Sequence, residues 1–265
     1  MSTDAPRIGL TGATGVLGRS VQQWWPSAVW APFRGDIRDA TAVQRWLDGA
    51  GALDAVLHCA AIVPVAKVEA DPHAAFDVNV RGTWNLMIAL RDREPWTFLA
   101  SSSHVYAPTS LYGITKMLAE HTATALRPVC VGRIFSFSAA SQKETYLLPS
   151  LARRIRAAGR NSTLEVRGGH NVRDFLTTRA IVSAIRVLYE RRWTGIVDIG
   201  SGQGITVLDV ARRLAARMNR ADLEIITRDD DRTSLVADRS ALRALGWSEG
   251  DVLDDLLKEI ADSVT

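Results

Sequence analysis

The sequence predicts an α/β chain: a doubly wound parallel sheet wrapped by helices, carrying a small, discontinuous C-terminal cap. Three observations predict it. Short apolar runs alternate with amphipathic stretches of helical period through the first half. The first apolar run leads at once into a glycine-rich turn, and after Phe135 the alternation loosens into shorter elements.

Taken in order, Arg7–Leu10 reads as a strand and Gly15–Trp25 as the helix behind it. Val29–Ala31 and Ala40–Leu47 repeat the pair, followed by strand Asp54–His58 and a long helix over Ala74–Leu90. Strand Thr97–Ala100, helix Leu111–Ala125 and strand Val129–Phe135 complete a strand–helix run whose crossovers are right-handed. Beyond it come a helix around Leu147–Ala158, a strand at Thr163–Val166, a helix at Ala180–Glu190 and a strand at Ile196–Ile199. Thr206 with Asp209 forms a capping-box pair opening a helix through Met218, and Ser248 with Asp251 does the same for the last helix. Residues 1–135 and 180–200 are expected to form the sheet domain, and residues 136–179 and 201–265 the cap.

Composition narrows the function classes. Of 265 residues, 47% are hydrophobic and 23% charged, with a mean hydropathy of 0.00, so the chain can bury a core of its own. The longest nearly apolar stretch, Ala55–Ala66, is interrupted by His58 and Pro64 and is too short for the ~20 residues of a membrane-spanning helix. The N-terminal MSTDAPRIGL has no charged region followed by an apolar run and a cleavage site, which predicts a cytoplasmic protein. Net charge is only +3, and 28 of the 32 cations are arginines scattered along the chain, so a solvated surface is expected and a nucleic-acid partner is not. Cys59 and Cys130 lie in apolar strand surroundings with no metal-ligand or redox spacing.

Directly after the first strand comes Thr11-Gly12-Ala13-Thr14-Gly15-Val16-Leu17-Gly18. Glycines at this spacing permit a tight turn, let backbone approach a pyrophosphate, and let the helix pack on the strand. The N–H groups of Gly15, Val16 and Leu17 at the helix start favour an anion. A dinucleotide is expected there, and a P-loop is not, because no Gly-Lys-Ser/Thr follows. The second strand runs into Trp30-Ala31-Pro32-Phe33-Arg34 with no acid before Asp36, and an acid is what would hold a ribose 2′-hydroxyl. Arg34, aided by Arg19, suits a 2′-phosphate, which favours NADP(H) over NAD(H).

Of four tyrosines only Tyr112 has a lysine four residues later, and Lys116 is one of four lysines. On a helix that spacing projects both side chains from one face. A phenol of pKa ~10 must fall by ~3 units, about 4 kcal/mol, to exchange protons near neutrality. An ammonium ~5 Å away at an effective dielectric of ~20 supplies about 3.3 kcal/mol of that. Ten residues before Tyr112, Ser102 ends the fourth strand, where its hydroxyl could hold a substrate carbonyl oxygen.

With the glycine turn, Ser102 and Tyr112/Lys116 together, the chain resembles the extended short-chain dehydrogenase/reductases, in particular the NAD(P)-dependent epimerase/dehydratase and sugar-nucleotide 4-ketoreductase group. The resemblance implies a Rossmann-type sheet with a substrate-binding cap. Asp36-Ile37 looks like the family's adenine-binding pair, and Ala60-Ala61 within His58-Cys59-Ala60-Ala61 like the stretch under the cofactor's ribose and phosphates. Asn79 in Asn79-Val80-Arg81-Gly82-Thr83 and Phe135 complete the implied cofactor set, together with Gly12 to Gly18, Arg34, Tyr112 and Lys116. For substrate it implies Ser102, Ser103 and Ser136, with Arg173 and Arg228 on a nucleotide-sugar diphosphate; by spacing alone those arginines would be surface residues.

The chain also departs from the family's pattern. Only five residues separate Tyr106 from Tyr112, so a shorter active-site wall is expected. Ser136 and Ala139-Ala140 stand where Asn and Gly-Pro are usual. Ser103-His104 replaces the Asp-Glu of dehydratases, which argues against dehydration; His104 could act as an extra acid or base. The expected activity is hydride transfer to or from a carbonyl or alcohol carbon of a nucleotide-linked sugar, with 4-ketoreduction ahead of 4-epimerisation. A non-catalytic NADP(H)-sensing regulator is the rival of another class. A homodimer through Ala74–Leu90 and Leu111–Ala125 is implied by the family.

Overall fold

The computed structural model describes residues 5–230, 232–249 and 252–264. The first unit, Met1–Ile134 with Val182–Asp198, is built on a six-stranded sheet. Its strands are β1 (Arg7–Thr11), β2 (Val29–Pro32), β3 (Ala55–His58), β4 (Trp96–Ser102), β5 (Cys130–Ile134) and, later in the chain, Gly195–Ile199. The spatial order is β2-β1-β3-β4-β5 and then Gly195–Ile199, and the registered neighbours from β2 to β5 are all parallel. Ile8, Leu10, Val56, Leu57 and Phe98 are fully buried, as strands covered on both faces require.

The helices are α1 (Val16–Trp24), α2 (Ala40–Ala50), α3 (Val65–Ala70), α4 (Pro72–Phe76), α5 (Gly82–Ala89) and α6 (Leu111–Leu126). Asp39 caps α2 by accepting from the N–H groups of Thr41 and Ala42, and Ser110 caps α6 by accepting from Gly113. The single helix expected over Ala74–Leu90 is corrected: α4 and α5 are separated by a π-helical turn, Asp77–Arg81, and α3 precedes them. Gly82 opens α5 because Ile37 crosses it so closely that a Cβ would meet Ile37 Cγ2 at 2.7 Å. Apolar periodicity does not register the one-residue excess of a π turn.

The second unit, Phe135–Ile181 with Ile199–Thr265, holds β6 (Ser136–Ser138), α7 (Leu147–Ala157), β7 (Thr163–Glu165) and β8 (Val172–Thr177). The chain then runs through α8 (Thr178–Glu190) and β9 (Gly195–Ile199), the sixth strand of the first sheet. It returns as β10 (Gly204–Thr206), α9 (Val207–Arg217), β11 (Glu224–Ile226), β12 (Ser234–Leu235), α10 (Ser240–Ala244) and α11 (Val252–Ser263). Leu148, Leu151 and Ile155 of α7, Val210 and Leu214 of α9, and Leu256, Leu257 and Ile260 of α11 pack into its core. The fifth strand stops at Ile134, not at Phe135, and β6, β8, β10, β11 and β12 were not foreseen; four of these five have only two or three residues. Thr206 caps α9 by accepting from Asp209 N–H at 3.0 Å, while the Asp209 carboxylate takes the Thr206 hydroxyl at 2.7 Å. The expected Ser248–Asp251 pair involves Asp251, which lies outside the described residues. No helix among the described residues is long and apolar enough to cross a membrane.

Candidate active site

The glycine turn joins β1 to α1 and is built by close approach. Gly12 sits at φ 71°, where a Cβ would lie 2.6 Å from Ala60 N, and a Cβ on Gly18 would lie 2.1 Å from Gly12 O. Gln22 donates to the carbonyl of Ala13 and Arg19 to that of Thr14, so the turn's carbonyls are held by side chains of α1. The anion-binding expectation needs one correction: Gly15 N–H donates to Gly12 O at 2.9 Å. The first helical bond of α1 runs from Arg19 N–H to Gly15 O at 2.9 Å, so the N–H groups of Val16, Leu17 and Gly18 are those that lack an i−4 helical partner there. With no side chain at Gly12, Gly15 or Gly18, and with Thr14 and Gly15 exposed, the turn fits a pyrophosphate.

At the end of β2, Arg34 is exposed and forms no ion pair with another described residue. Asp36 is held in a two-pronged ion pair by Arg38, at 2.6 Å, whose hydrogen bonds lower its carboxyl pKa to about 2. The Ile37 side chain packs in the sheet core and Asn85 Nδ2 donates to its carbonyl.

Behind the turn runs a buried polar chain. Ala60 N–H donates to Thr11 Oγ1 at 3.2 Å, Thr11 Oγ1 lies 2.7 Å from His58 Nδ1, and His58 Nε2 lies 3.0 Å from Thr83 Oγ1. The Thr83 hydroxyl donates to Asn79 O at 2.7 Å. Asn79 accepts from Ile62 N–H and donates to Ile62 O and to Thr115 Oγ1, and Thr115 donates to the carbonyl of Tyr112 at 2.9 Å. Asn79 is therefore bonded through protein groups on both ends of its amide. Burial, together with the field of Lys116, pulls the His58 pKa down to about 3, so the ring is neutral.

The end of β4 and the start of α6 bring the chemical groups together. Lys116 Nζ is buried and donates to Ala100 O, two residues before Ser102, at 2.6 Å. Burial lowers its pKa to about 8, partly opposed by Cys59 and Glu120. Ser102 is buried and accepts from His104 N–H at 3.3 Å. Ser103 is buried too, at the start of a 3-10 turn, Ser103–Val105. Tyr112 is half-buried and its ring meets that of His104 edge-on at 5.4 Å between centroids. Gly113 allows this: a Cβ there would lie 2.7 Å from His104 O.

Composition and spacing did not single out the buried acid one turn beyond Lys116. Glu120 accepts from Ser101 Oγ at 2.5 Å and from Arg133 at 2.8 Å, and Arg133 lies 4.7 Å over the ring of Tyr106. Tyr106 in turn donates to Asp198 at 2.6 Å, which ties the 3-10 turn to the far strand of the sheet. The i+4 spacing of Glu120 from Lys116 was the available signal.

In the second unit, Phe135 is buried and its N–H donates to Ile199 O, and Ser136 opens β6. Arg173 uses Nη1 on the carbonyls of Val172 and Thr233 and Nη2 on Thr233 Oγ1, leaving its remaining N–H groups unassigned. Arg228 is exposed and lies 3.6 Å from Glu165. Glu165 lines a cavity of about 630 Å³ with Tyr146, Ser150, Arg154 and Arg167. A second residue to which the sequence assigned no role is Asp174, fully buried, which accepts from Ser201 N–H and Oγ, Gly202 N–H and Ala237 N–H.

An α/β sheet with a glycine turn at its first crossover, Ser102 ending its fourth strand, Lys116 bonded to Ala100 O of that strand and Tyr112 one turn earlier on the same helix defines a nucleotide-dependent oxidoreductase class. The chain belongs to the NAD dependent epimerase/dehydratase family, whose model matches residues 8–200. It is 28% identical over 254 residues to GDP-6-deoxy-D-mannose reductase of Pseudomonas aeruginosa, covering 83% of this chain and 82% of that protein. It is 30% identical over 258 residues to UDP-glucose 4-epimerase of Rhizobium meliloti, covering 81% and 77%. Two solved structures share the fold: RMD from Pseudomonas aeruginosa complexed with NADPH, with TM-score 0.85 and 24% identity over 98% of both chains, and Thermus thermophilus UDP-glucose 4-epimerase complexed with NAD, with TM-score 0.81 and 20% identity over 97% and 98%.

Proposed function

We propose that this chain is an NAD(P)-dependent oxidoreductase of nucleotide-linked sugars, acting as a 4-ketoreductase with NADP(H) preferred. The observation that carries the reading is the anchoring of the buried Lys116 amine on Ala100 O, two residues before Ser102, with Tyr112 one turn earlier on the same helix. When bound, the nicotinamide supplies or takes the hydride. The chain's own residues handle the proton. Ser102 accepts from His104 N–H through a lone pair, which leaves its hydroxyl proton to donate to the substrate oxygen. Tyr112 gives that oxygen its proton on reduction and takes it back on oxidation. Lys116, with a pKa of about 8, is mostly charged at neutral pH and lowers the cost of the tyrosinate.

Arg34 is the candidate for a 2′-phosphate, being exposed and in no ion pair with another described residue, whereas Asp36 is already neutralised by Arg38. Asp36, Ala60, Ala61, Asn79 and Phe135 remain the implied cofactor-facing positions. In the second unit the cavity beside Glu165 has room and charge of both signs for the nucleotide, and Arg228 at its edge would meet the diphosphate; Ser103 and Ser136 would contact the sugar. A cytosolic location belongs to the same reading, in keeping with the free thiols of Cys59 and Cys130. A homodimer is supported by Trp84 and Ile88 on α5 and Ile114 and Leu118 on α6, all exposed and apolar.

The test is a panel of 4-keto and 4-hydroxy nucleotide sugars followed at the nicotinamide absorbance. Consumption of added NADPH by cofactor-free protein is the expected result. Purification with retained NAD and no net redox change identifies the 4-epimerase alternative, which the relatives named as epimerases favour. A biological effect that survives Tyr112→Phe but not Gly15→Trp would identify a sensor instead.

A further inference from the structure

We infer that His58 and Thr83 are positioning residues: with Thr11 and Asn79 they form a buried strut that sets the spacing between the glycine turn and the first turn of α6, where Tyr112 sits. The directions of its hydrogen bonds follow from counting protons. Thr83 commits its only hydroxyl proton to Asn79 O, so toward His58 it can only accept, and Nε2 must carry the ring proton. The neutral ring then has a bare Nδ1, which accepts from the Thr11 hydroxyl, and Thr11 Oγ1 accepts from Ala60 N–H. At the other end, Thr115 commits its proton to Tyr112 O, so the atom of Asn79 facing it is the amide nitrogen.

Every hydrogen bond along this path has one allowed direction, and reversing any of them would leave a buried donor facing a donor or an acceptor facing an acceptor. The π turn is part of the device: Gly82 N–H reaches back five residues to Asp77 O, and the Thr83 side chain takes the Asn79 carbonyl. Gly12 and Ala60 are in backbone contact, so moving the Thr11 end moves the turn. The inference rests on the reading of that turn as a dinucleotide cradle.

Two measurements test it. Nitrogen-15 spectra of the labelled wild-type protein should show His58 with a protonated Nε2 and a bare Nδ1, unchanged from about pH 5 to about pH 9; an Nδ1–H tautomer, or titration in that range, overturns the strut. Binding of NADPH and NADH, followed by nicotinamide fluorescence, should weaken about tenfold in Thr83→Val and stay within about twofold of wild type in Thr83→Ser, which keeps the hydroxyl. If Thr83→Val lowers the melting temperature yet binds both dinucleotides as wild type does, the network is only a brace and the positioning role is lost. Should Thr83→Val not fold, His58→Gln, which still offers an N–H to Thr83, is expected to bind more weakly than wild type; unchanged binding overturns the role. Failure of the wild type to bind either dinucleotide would overturn the cradle reading together with the role.

Discussion

At the residue scale, Lys116 is held in a place that costs stability. Its folded pKa of about 8 lies below the value of 10.5 of a free lysine, so the unfolded chain binds its proton more tightly between those values. Stability contributed at this site therefore rises as pH climbs from about 8 to about 10.5, while activity that needs the ammonium falls over the same range. Lys116→Met should abolish turnover yet melt no lower than wild type, because a buried charge is replaced by a side chain of similar volume; a drop of more than a few degrees would show that the Ala100 hydrogen bond outweighs the charge penalty. His58 has the matching acid behaviour. Its folded pKa of about 3 lies below the free value of 6.5, so stability is retained above about pH 6.5 and lost as pH falls toward 3. Chemical-denaturant midpoints measured across that range should decline for wild type, and His58→Gln should flatten the decline.

At the element scale, the glycines separate into those that close contacts require and those that they do not. A Cβ on Gly18 would meet the backbone oxygen of Gly12, so Gly18→Ala should disrupt the β1–α1 turn and weaken dinucleotide binding at least tenfold, read by fluorescence titration. Gly49 lies in α2 with open space around its Cβ position, so Gly49→Ala should stabilise the protein by about 0.5–1 kcal/mol in denaturant melts. The same reasoning explains which elements the sequence disclosed. Glycine turns and cap residues act over three or four positions, and the β1–α1 turn and the Thr206 cap were readable for that reason. β8, by contrast, is recognisable only through Asp174, whose partners are 27, 28 and 63 residues away.

For the whole molecule, the exposed apolar face of α5 and α6 bears on assembly. If the proposed dimer forms through this face, Trp84→Glu should shift the protein from dimer to monomer in sedimentation velocity runs, because the half-exposed Trp84 side chain would then place a charge in the interface. A monomeric wild type would refute the dimer.

The amino-acid order by itself determined the alternating α/β framework, the glycine turn and the Tyr112/Lys116 pair, because each is a pattern among residues a few positions apart, set by backbone sterics and helical period. Only the tertiary structure decided that Lys116 is buried on the Ala100 carbonyl, that Asp36 is occupied by Arg38, that Gly15 N–H is already bonded, and that His58 holds one tautomer. Strand order brings together groups tens of residues apart, and in a water-free interior each donor there must find an acceptor, a constraint that no local pattern expresses.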